Sequence, residues 1–442
     1  MPGDASNTIE LGTATAIAAF LILAFSLTAR KLGRWNLTAP IVFLLAGWLL
    51  SLAFGGTADH SEPLKVLAEA TLAIVLFTDA AGIRPRQIGH DAATVSRLLL
   101  IGLPLTIAAG TLLAVGIFPE MPLLMALLLG SMLAPTDAAL GAATVLNKAV
   151  PVRVRRLLNV ESGLNDGLAT PVVLFAIAAL AGEEGLAPAA SLLTALIEIG
   201  LGAALGAALG YAAGAAIRFS DTRLMSTAHS RAIAVLMLPL LAYTLASAIG
   251  GNGFIAAFVA GTFFASALKS SDAKPLVLAE SIVEPMGYAT WLAFGALAVP
   301  TLLINLGWQE FVFAAAALTV LRMVPVALSL LGSGLRGPTV AFIGWFGPRG
   351  LASVVFAMLA VEDLRPSSML DDVLAAATLT IILSVLLHGL TAGPGARRYA
   401  AWIATAQPTA ELSESSEPRG RGPMSQLGTP AAAGPVTPVG SD

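Results

Sequence analysis

Ala134-Pro-Thr-Asp-Ala138 and Trp345-Phe-Gly-Pro-Arg-Gly350 each place a proline and a charged residue inside an apolar run of membrane-spanning length. Proline removes a backbone hydrogen-bond donor and breaks a helix, and the glycines around Pro348 loosen it further. Unwound backbone at membrane depth is tolerated only where it is buried in protein or lines a cavity. Both stretches therefore predict membrane helices that are interrupted around a polar site.

The composition is that of an integral membrane protein. Of the 442 residues, 57% are hydrophobic and only 12% are charged, whereas a soluble domain carries roughly 25% charged residues. Because the chain has no cysteine, disulfides, thiol catalysis and thiolate metal sites are excluded. The net charge of -3 argues against nucleic acid as a partner. No Gly-x-Ser-x-Gly or His-Glu-x-x-His sequence is present, so neither an enzyme nor a cofactor is predicted.

The apolar runs predict a polytopic helical protein. Crossing a bilayer as a helix takes about 20 apolar residues, and about 13 runs meet that requirement. They cover residues 9–29, 37–54, 63–81, 96–118, 121–145, 157–181, 188–217, 230–249, 251–268, 277–299, 309–332, 338–360 and 371–393. We predict an all-α transmembrane domain over residues 1–403, with interruptions in spans 5 and 12. Residues 404–442, rich in Pro, Gly, Ser, Thr and Ala, are predicted to form a disordered cytoplasmic tail.

The charges of the loops alternate between the two sides of the membrane. Loops after odd-numbered spans are basic, and loops after even-numbered spans are acidic or neutral except for Lys65 and Arg365. Positive residues mark the cytoplasmic side. We therefore expect a multi-pass protein of the inner cell membrane with its N-terminus outside and its C-terminus in the cytoplasm. The N-terminus lacks the basic region of a cleaved signal peptide, so span 1 is expected to be retained.

The two interrupted spans predict an inverted-repeat architecture. Spans 5 and 12 are an odd number of spans apart, so they cross the membrane in opposite directions. Interrupted helices at matching places in oppositely oriented halves are typical of transporters whose binding site lies where the breaks meet. Carbonyl groups of the breaks can coordinate a cation, while Asp137 and Arg349 can compensate the half-helix ends. A structural interpretation of Asp137, as a cap of a half-helix or as a partner of Arg349, is as well supported as a place in the ion site.

Span 6 supplies the other side chains of the predicted site. A charge at the bilayer centre costs about 2.5–3.5 kcal/mol, so it persists mainly where it acts on ions or protons. Ser162 and Asp166 are one helical turn apart on the same face, and they offer hard oxygen ligands for a monovalent cation. Glu161 and Asn165 form the neighbouring stripe. Glu161 is the natural partner of a buried arginine rather than an ion ligand.

Two features outside these stretches have less specific interpretations. Glu69 in span 3 is a candidate for a carboxylate that lines the cavity, and the alternative is a carboxylate hydrogen-bonded within the bundle. Span 7 carries Gly202, Gly206, Gly210 and Gly214, a stripe of small residues that allows close helix contact within the protomer or across a dimer. A homodimer in the lipid bilayer is expected.

Four stretches together carry a resemblance to a known family: Leu76-Phe-Thr-Asp-Ala80, Ala134-Pro-Thr-Asp-Ala138, Glu161-Ser-Gly-Leu-Asn-Asp-Gly167 and Trp345-Phe-Gly-Pro-Arg-Gly350. They resemble the bacterial and archaeal sodium/proton antiporters of the monovalent cation:proton antiporter superfamily, and the resemblance extends over most of the chain. The second stretch departs from the commoner Thr-Asp-Pro order, because its proline precedes the threonine. The resemblance implies the inverted-repeat antiporter fold with two interrupted crossing helices.

The resemblance also implies roles for the site residues. Asp166 is implied to be the carboxylate that carries either a cation or a proton. Thr136, Asp137 and Ser162 are implied to surround the ion, so that Asp166, Ser162 and Thr136 would ligate the transported Na+. These roles are consistent with the hard oxygen ligands that the span 6 spacing predicts.

Two residue pairs complete what the resemblance implies. Glu161 is implied to pair with Arg322 of span 11, and the order Asn165-Asp166 goes with electroneutral exchange in the superfamily. We therefore predict a secondary antiporter that exchanges Na+, or alternatively K+ or Li+, for H+ one for one. A cation channel is a further alternative, but the chain has no repeated filter such as Thr-Val-Gly-Tyr-Gly.

Overall fold

The computed structural model describes residues 3–35, 37–54, 61–83, 89–137, 140, 147–182, 188–268 and 274–413. All regular structure in these residues is helical, which confirms the predicted all-α class. Helices are the expected solution in a bilayer, because each backbone polar group is satisfied within its own segment. Among the described residues, eight helices are long and apolar enough to cross a membrane, and three shorter apolar helices, Ala39–Ala53, Leu123–Met132 and Gly253–Leu268, accompany them.

Each predicted span overlaps one helix or two successive helices of the described residues. In chain order these are α1 Gly3–Arg34, α2 Ala39–Phe54, α3 Ser61–Gly82, α4 Ala92–Arg97, α5 Leu103–Ile117, α6 Leu123–Met132, α7 Val152–Ala181, α8 Pro188–Thr222, α9 Ala228–Ala248, α10 Gly253–Leu268, α11 Val277–Asn305, α12 Trp308–Leu318, α13 Val320–Ser329, α14 Gly337–Trp345, α15 Leu351–Asp363 and α16 Ser368–Ala406. A π-helical turn over Leu98–Gly102 joins α4 to α5.

The helices pack as two bundles. The flanking bundle holds α1, α2, α3, α8, α9, α10 and α11, and the site bundle holds α4 to α7 and α12 to α16. The bundles meet where α3 contacts α7 and α15, where α10 contacts α7, and where α11 contacts α15 and α16. Because α7 carries the predicted cation ligands, the site lies beside this junction.

The loop charges distinguish the two ends of the bundles. We call the end with the basic loops the basic face; it includes Arg153 and Arg336. The opposite end, the acidic face, includes Glu310 and Asp363. The long helix α7 runs from the basic face to the acidic face, and so does α14 followed by α15.

The glycine stripe of α8 packs inside the protomer. A Cβ added at Gly202, Gly206 or Gly210 would lie 2.2–2.4 Å from the backbone oxygen of Asn252, Ala256 or Ala260 in and beside α10. Only glycine allows the two backbones to approach this closely. The stripe therefore explains the contact between α8 and α10.

The chain remains packed beyond the predicted start of the tail at residue 404. Helix α16 continues to Ala406, and the buried Glu411 carboxylate accepts hydrogen bonds from the Arg336 N–H at 2.8 Å and the Thr339 hydroxyl at 2.7 Å. Arg153 at the start of α7 also donates to the Ala410 carbonyl. These contacts fix the chain as far as Ser413, and residues 414–442 of the predicted tail lie outside the described residues.

Both predicted interruptions are present, at the predicted prolines. Helix α6 ends at Met132, before Pro135, and α14 ends at Trp345, before Pro348, with α15 beginning at Leu351. Residues 138–139 and 141–146, in the second half of predicted span 5, lie outside the described residues. A third interruption, at Thr319 between α12 and α13, was not predicted. No proline or glycine marks it, so the sequence pattern gives no signal for this break.

The two unwound segments cross in direct contact. The Asp137 N–H donates to the Pro348 carbonyl at 2.8 Å, so each break satisfies a backbone group of the other. The Asp137 carboxylate accepts from the Leu351 N–H at 3.2 Å and from the Leu140 N–H at 3.3 Å. It therefore caps the N-terminus of α15, where the helix dipole favours negative charge.

The crossing requires a glycine at position 350. A Cβ built on Gly350 would lie 2.0 Å from Asp137 Oδ2 and 2.1 Å from Asp137 Cβ. Neither atom can move away without breaking the cap on α15. The glycine predicted to loosen the helix is therefore also the point of closest approach between the two breaks.

Gly350→Ala is expected to destabilise the protein by about 1–3 kcal/mol or more, since overpacking displaces Asp137. The matched control is Gly389→Ala in α16, where an added Cβ meets no atom within 4 Å and alanine favours the helix by about 0.5–1 kcal/mol. Thermal melting in detergent compares the two variants. Equal melting temperatures for the two alanine variants would contradict the crossing contact.

Candidate cation site at the crossing of the broken helices

A buried cluster of oxygen-bearing side chains lies where the span 5 break meets α7. The Thr136 and Ser162 hydroxyl oxygens are 3.0 Å apart, and Asn165 Nδ2 donates to Thr136 Oγ1 at 2.7 Å. Asp166 is 6% exposed and lies one turn along α7 from Ser162, on the same face. The structure thus brings Thr136, Ser162 and Asn165 together from two separate elements, and the helix places Asp166 one turn from Ser162.

Asn165 contributes a feature that the sequence did not predict. Its Oδ1 is buried and has no hydrogen-bond partner among the described residues. An unsatisfied buried polar group costs about 1–3 kcal/mol. Because a hard cation is coordinated by carbonyl, hydroxyl and carboxylate oxygens, a cation bound in this cluster would offset that cost.

Asp137, the fifth predicted site residue, faces backbone. Its carboxylate caps α15 as described above, and Ser353 in the first turn of α15 donates in return to the Met132 carbonyl at the end of α6, at 2.7 Å. The two half-helices are therefore tied reciprocally, the N-terminus of one to a carboxylate and the C-terminus of the other to a hydroxyl. These contacts favour the structural interpretation of Asp137.

Arg349 is buried and compensates carbonyl groups near the breaks. Its Nη1 donates to the Gly347 carbonyl at 2.8 Å, and its Nη2 donates to the Ala317 carbonyl at 3.1 Å. Ala317 lies in the last turn of α12, just before the interruption at Thr319. The positive charge is thus placed at the negative end of the α12 dipole.

Glu161 and Arg322 form a buried ion pair next to the oxygen cluster. Arg322 Nη2 is 2.6 Å from Glu161 Oε1, and the two side chains are 4% and 3% exposed. Arg322 Nη2 and Glu161 Oε2 have no aligned hydrogen-bond partner in the part of the chain that the structure describes, so charge attraction rather than hydrogen-bond geometry holds the pair. A Cβ on Gly347 would lie 2.8 Å from Arg322 Nε and 2.9 Å from Thr136 Cγ2. The span 12 break therefore packs between the ion pair and the cluster.

Glu69, a predicted site residue, and Phe258, a neighbouring residue, lie on the side of the site nearer the acidic face. Glu69 is in the acidic-face half of α3 and interacts with the Tyr243 hydroxyl of α9. Phe258 of α10 packs its ring against Gly167, where an added Cβ would lie 2.2 Å from the ring. Gly167 follows Asp166 directly, so the flanking bundle touches α7 right beside Asp166.

His388 and Ser384 of α16 are site residues that sequence reasoning missed. The Arg349 backbone N–H donates to Ser384 Oγ at 2.7 Å, and this Oγ lies 3.3 Å from His388 Nδ1. The other ring nitrogen, His388 Nε2, is 2.7 Å from the Trp345 carbonyl oxygen. The pair therefore joins the two sides of the span 12 break. A histidine one turn after a serine in an apolar helix was the available signal, but it does not indicate which distant backbone groups the pair contacts.

Glu161→Ala is expected to destabilise the protein by about 3–5 kcal/mol, because removing one partner of a buried pair strands the charge of Arg322. The matched control is Asp221→Ala, which removes the carboxylate of the exposed ion pair with Arg231 and is expected to cost about 1 kcal/mol or less. Melting in detergent measures both. The pair would have no structural role if the Glu161 variant melted like the control.

Comparison with solved structures shows that the resemblance holds for the fold as well as for the sequence motifs. The chain shares the fold of the sodium proton antiporter MjNhaP1 from Methanocaldococcus jannaschii, with a TM-score of 0.73 at 20% identity over 88% of this chain and 99% of that one. The predicted antiporter fold is therefore confirmed.

Proteins of similar sequence are named as cation/proton antiporters. The chain is 26% identical to the K(+)/H(+) antiporter NhaP2 of Shewanella oneidensis over 411 residues, which is 90% of this chain and 68% of the relative. It is also 26% identical to the Na(+)/H(+) antiporter of Schizosaccharomyces pombe over 373 residues, which is 75% of this chain and 77% of the relative. Residues 16–398 match the family described as Sodium/hydrogen exchanger, transmembrane. The protein therefore belongs to the transmembrane sodium/hydrogen exchanger family.

Proposed function

We propose that the protein is a secondary antiporter that exchanges Na+ for H+, one for one, at the cluster of Thr136, Ser162, Asn165 and Asp166. The observation that carries the proposal is that these buried oxygen-bearing side chains meet at the crossing of two broken helices. The names of the relatives support both Na+ and K+ as the cation. A K+/H+ antiporter on the same site is the alternative.

Competition between the two ions at Asp166 provides the coupling. Burial disfavours a bare carboxylate, so the group is neutralised either by a proton or by a cation. Thr136, Ser162 and Asn165 supply uncharged oxygens that replace part of the hydration shell of the cation. A return movement with neither ion bound would carry an uncompensated charge through the membrane, which costs several kcal/mol. The fluxes are therefore linked in opposite directions.

Alternating access follows from the contact between the bundles. The site bundle carries all the proposed ligands, and the flanking bundle closes on it through α3 and α10. Rocking of one bundle against the other exposes the site to each side in turn. Within the site bundle, the reciprocal caps of the breaks and the Glu161–Arg322 pair hold the ligands in place during this movement.

The membrane placement is part of the proposal. Positive residues mark the cytoplasmic side, so the basic face is cytoplasmic and the acidic face is external. The N-terminus then lies outside, residues 414–442 lie in the cytoplasm, and the protein resides in the inner cell membrane. A homodimer is also expected, and mass measurement of the purified protein in detergent tests it.

Asp166→Asn is expected to abolish cation-driven proton movement, because the amide binds neither a proton nor a cation with the affinity of a carboxylate. Dissipation of a pH gradient in proteoliposomes, on adding Na+, K+ or Li+ separately, measures exchange and selectivity. The control is Glu120→Gln, an exposed carboxylate at the acidic face. Near-normal exchange by a folded Asp166→Asn protein would refute the mechanism. Flux without counterflow in the wild type would instead indicate a channel.

An imposed membrane potential is expected to leave the exchange equilibrium unchanged. Asn165 cannot carry a proton, so one cation exchanges for one proton and no net charge moves. Each uncompensated charge would contribute about 2.3 kcal/mol per 100 mV. Na+-driven proton flux is measured with and without a potential set by valinomycin and a K+ gradient, or by a permeant anion if K+ is exchanged. A driving force that shifts with potential would mean that a second carboxylate titrates in the cycle.

A further inference from the structure

An ion pair joins the two bundles at the acidic face. Lys65 Nζ of α3, in the flanking bundle, lies 2.5 Å from Asp363 Oδ1 at the end of α15, in the site bundle. The two side chains are 31% and 34% exposed. The ion pairs Glu161–Arg322 and Asp221–Arg231, by contrast, each join helices of a single bundle. The Lys65–Asp363 pair therefore spans the surface along which the bundles have to move.

Within the flanking bundle, a series of contacts leads from Lys65 toward Asp166. Glu69 lies one turn further along α3 and interacts with the Tyr243 hydroxyl. The Tyr243 ring is 4.9 Å from that of Phe254, between centroids, and Phe254 is followed one turn later by Phe258. Phe258 lies against Gly167, the neighbour of Asp166. The two bundles thus touch at the acidic face, through Lys65 and Asp363, and again beside Asp166, through Phe258 and Gly167.

The two kinds of ion pair suit different tasks. Glu161 and Arg322 are both buried, so separating them leaves an unpaired charge out of contact with water. Lys65 and Asp363 reach solvent, so each is rehydrated when the pair separates, and such pairs are weak. The buried pair is suited to a permanent contact, and the exposed pair to one that opens and closes in every cycle.

We propose that Lys65 and Asp363 form a gate at the acidic face. The gate is closed in this structure, and it has to open, together with the contact of Phe258 on Gly167, before Asp166 can exchange ions with that side. This inference rests on the proposed antiport, because alternating access is what requires the bundles to separate there. It assigns to the pair a role in transport rather than in stability.

The absence of cysteine from the chain permits a direct test. In the Lys65→Cys/Asp363→Cys variant, a short bis-methanethiosulfonate reagent bridges the two thiols through disulfides that reduction removes. Exchange is measured in proteoliposomes before the reagent, after it, and after reduction. Crosslinking is expected to lower the exchange rate at least tenfold, and reduction is expected to restore it, because the tether holds the gate closed. In each single cysteine variant the same reagent is expected to leave the rate unchanged, because it has no second thiol to bridge.

The matched control is the Asp221→Cys/Arg231→Cys variant. Its two positions are also joined by an ion pair, with Arg231 Nη2 3.0 Å from Asp221 Oδ1, but both lie in the flanking bundle. The same reagent is expected to leave its exchange rate unchanged, since no movement between α8 and α9 is required.

Two outcomes separate the gate from the proposed function. Exchange by the wild type, together with an undiminished rate in the crosslinked 65–363 variant, overturns the gate and leaves the antiporter standing. A wild type that does not exchange refutes the antiporter and the gate with it.

Charge reversal gives a second test without crosslinking. Lys65→Glu places two like charges at the pair, and the double variant Lys65→Glu/Asp363→Lys restores attraction in the opposite sense. The single variant is expected to change the exchange rate several-fold, and the double variant to recover most of the wild-type rate. A single variant with the wild-type rate, or a double variant that recovers nothing, would overturn the gate.

Discussion

The crossing of two unwound segments is the contact on which the rest of the structure depends. The Asp137 N–H bonds to the Pro348 carbonyl, and the Asp137 carboxylate caps α15. Backbone groups freed by a break inside a membrane have no water to bind. Each break here is satisfied by the other, by Ser353 or by Arg349. The protein can therefore hold polar side chains at mid-membrane depth on otherwise apolar helices.

The buried charged residues near the crossing divide into those that hold the structure and the one proposed to bind the exchanged ions. Glu161 and Arg322 are buried beside the breaks and hold them, while Arg349 compensates helix carbonyls. Asp166 lies on α7, the helix that also carries Glu161, one turn from Ser162 and its uncharged neighbours Thr136 and Asn165. In the proposed mechanism, Asp166 is the one carboxylate of this region that changes its ligand. This division is the arrangement expected of a site that alternates between a proton and a monovalent cation.

Local sequence patterns predicted the elements and the breaks, but not the contacts between distant elements. Pro135 and Pro348 marked both interruptions because proline acts on its own helix, and the one-turn spacing of Ser162 and Asp166 placed both on one face. The resemblance, rather than the spacing, implied Arg322 as the partner of Glu161. Local sequence has no signature for the interruption at Thr319, for the contact of His388 with the Trp345 carbonyl or for the packing of Glu411. Each of these depends on residues far along the chain.

Proton release on cation binding tests the central claim most directly. Calorimetric titration of the purified protein with Na+, in buffers of different ionisation enthalpy, measures the number of protons released per cation bound. At a pH where the free site holds its proton, the wild type is expected to release about one proton per Na+, and Asp166→Asn none. Na+ binding by the wild type without proton release, at every pH tested, would contradict competition of the two ions at Asp166.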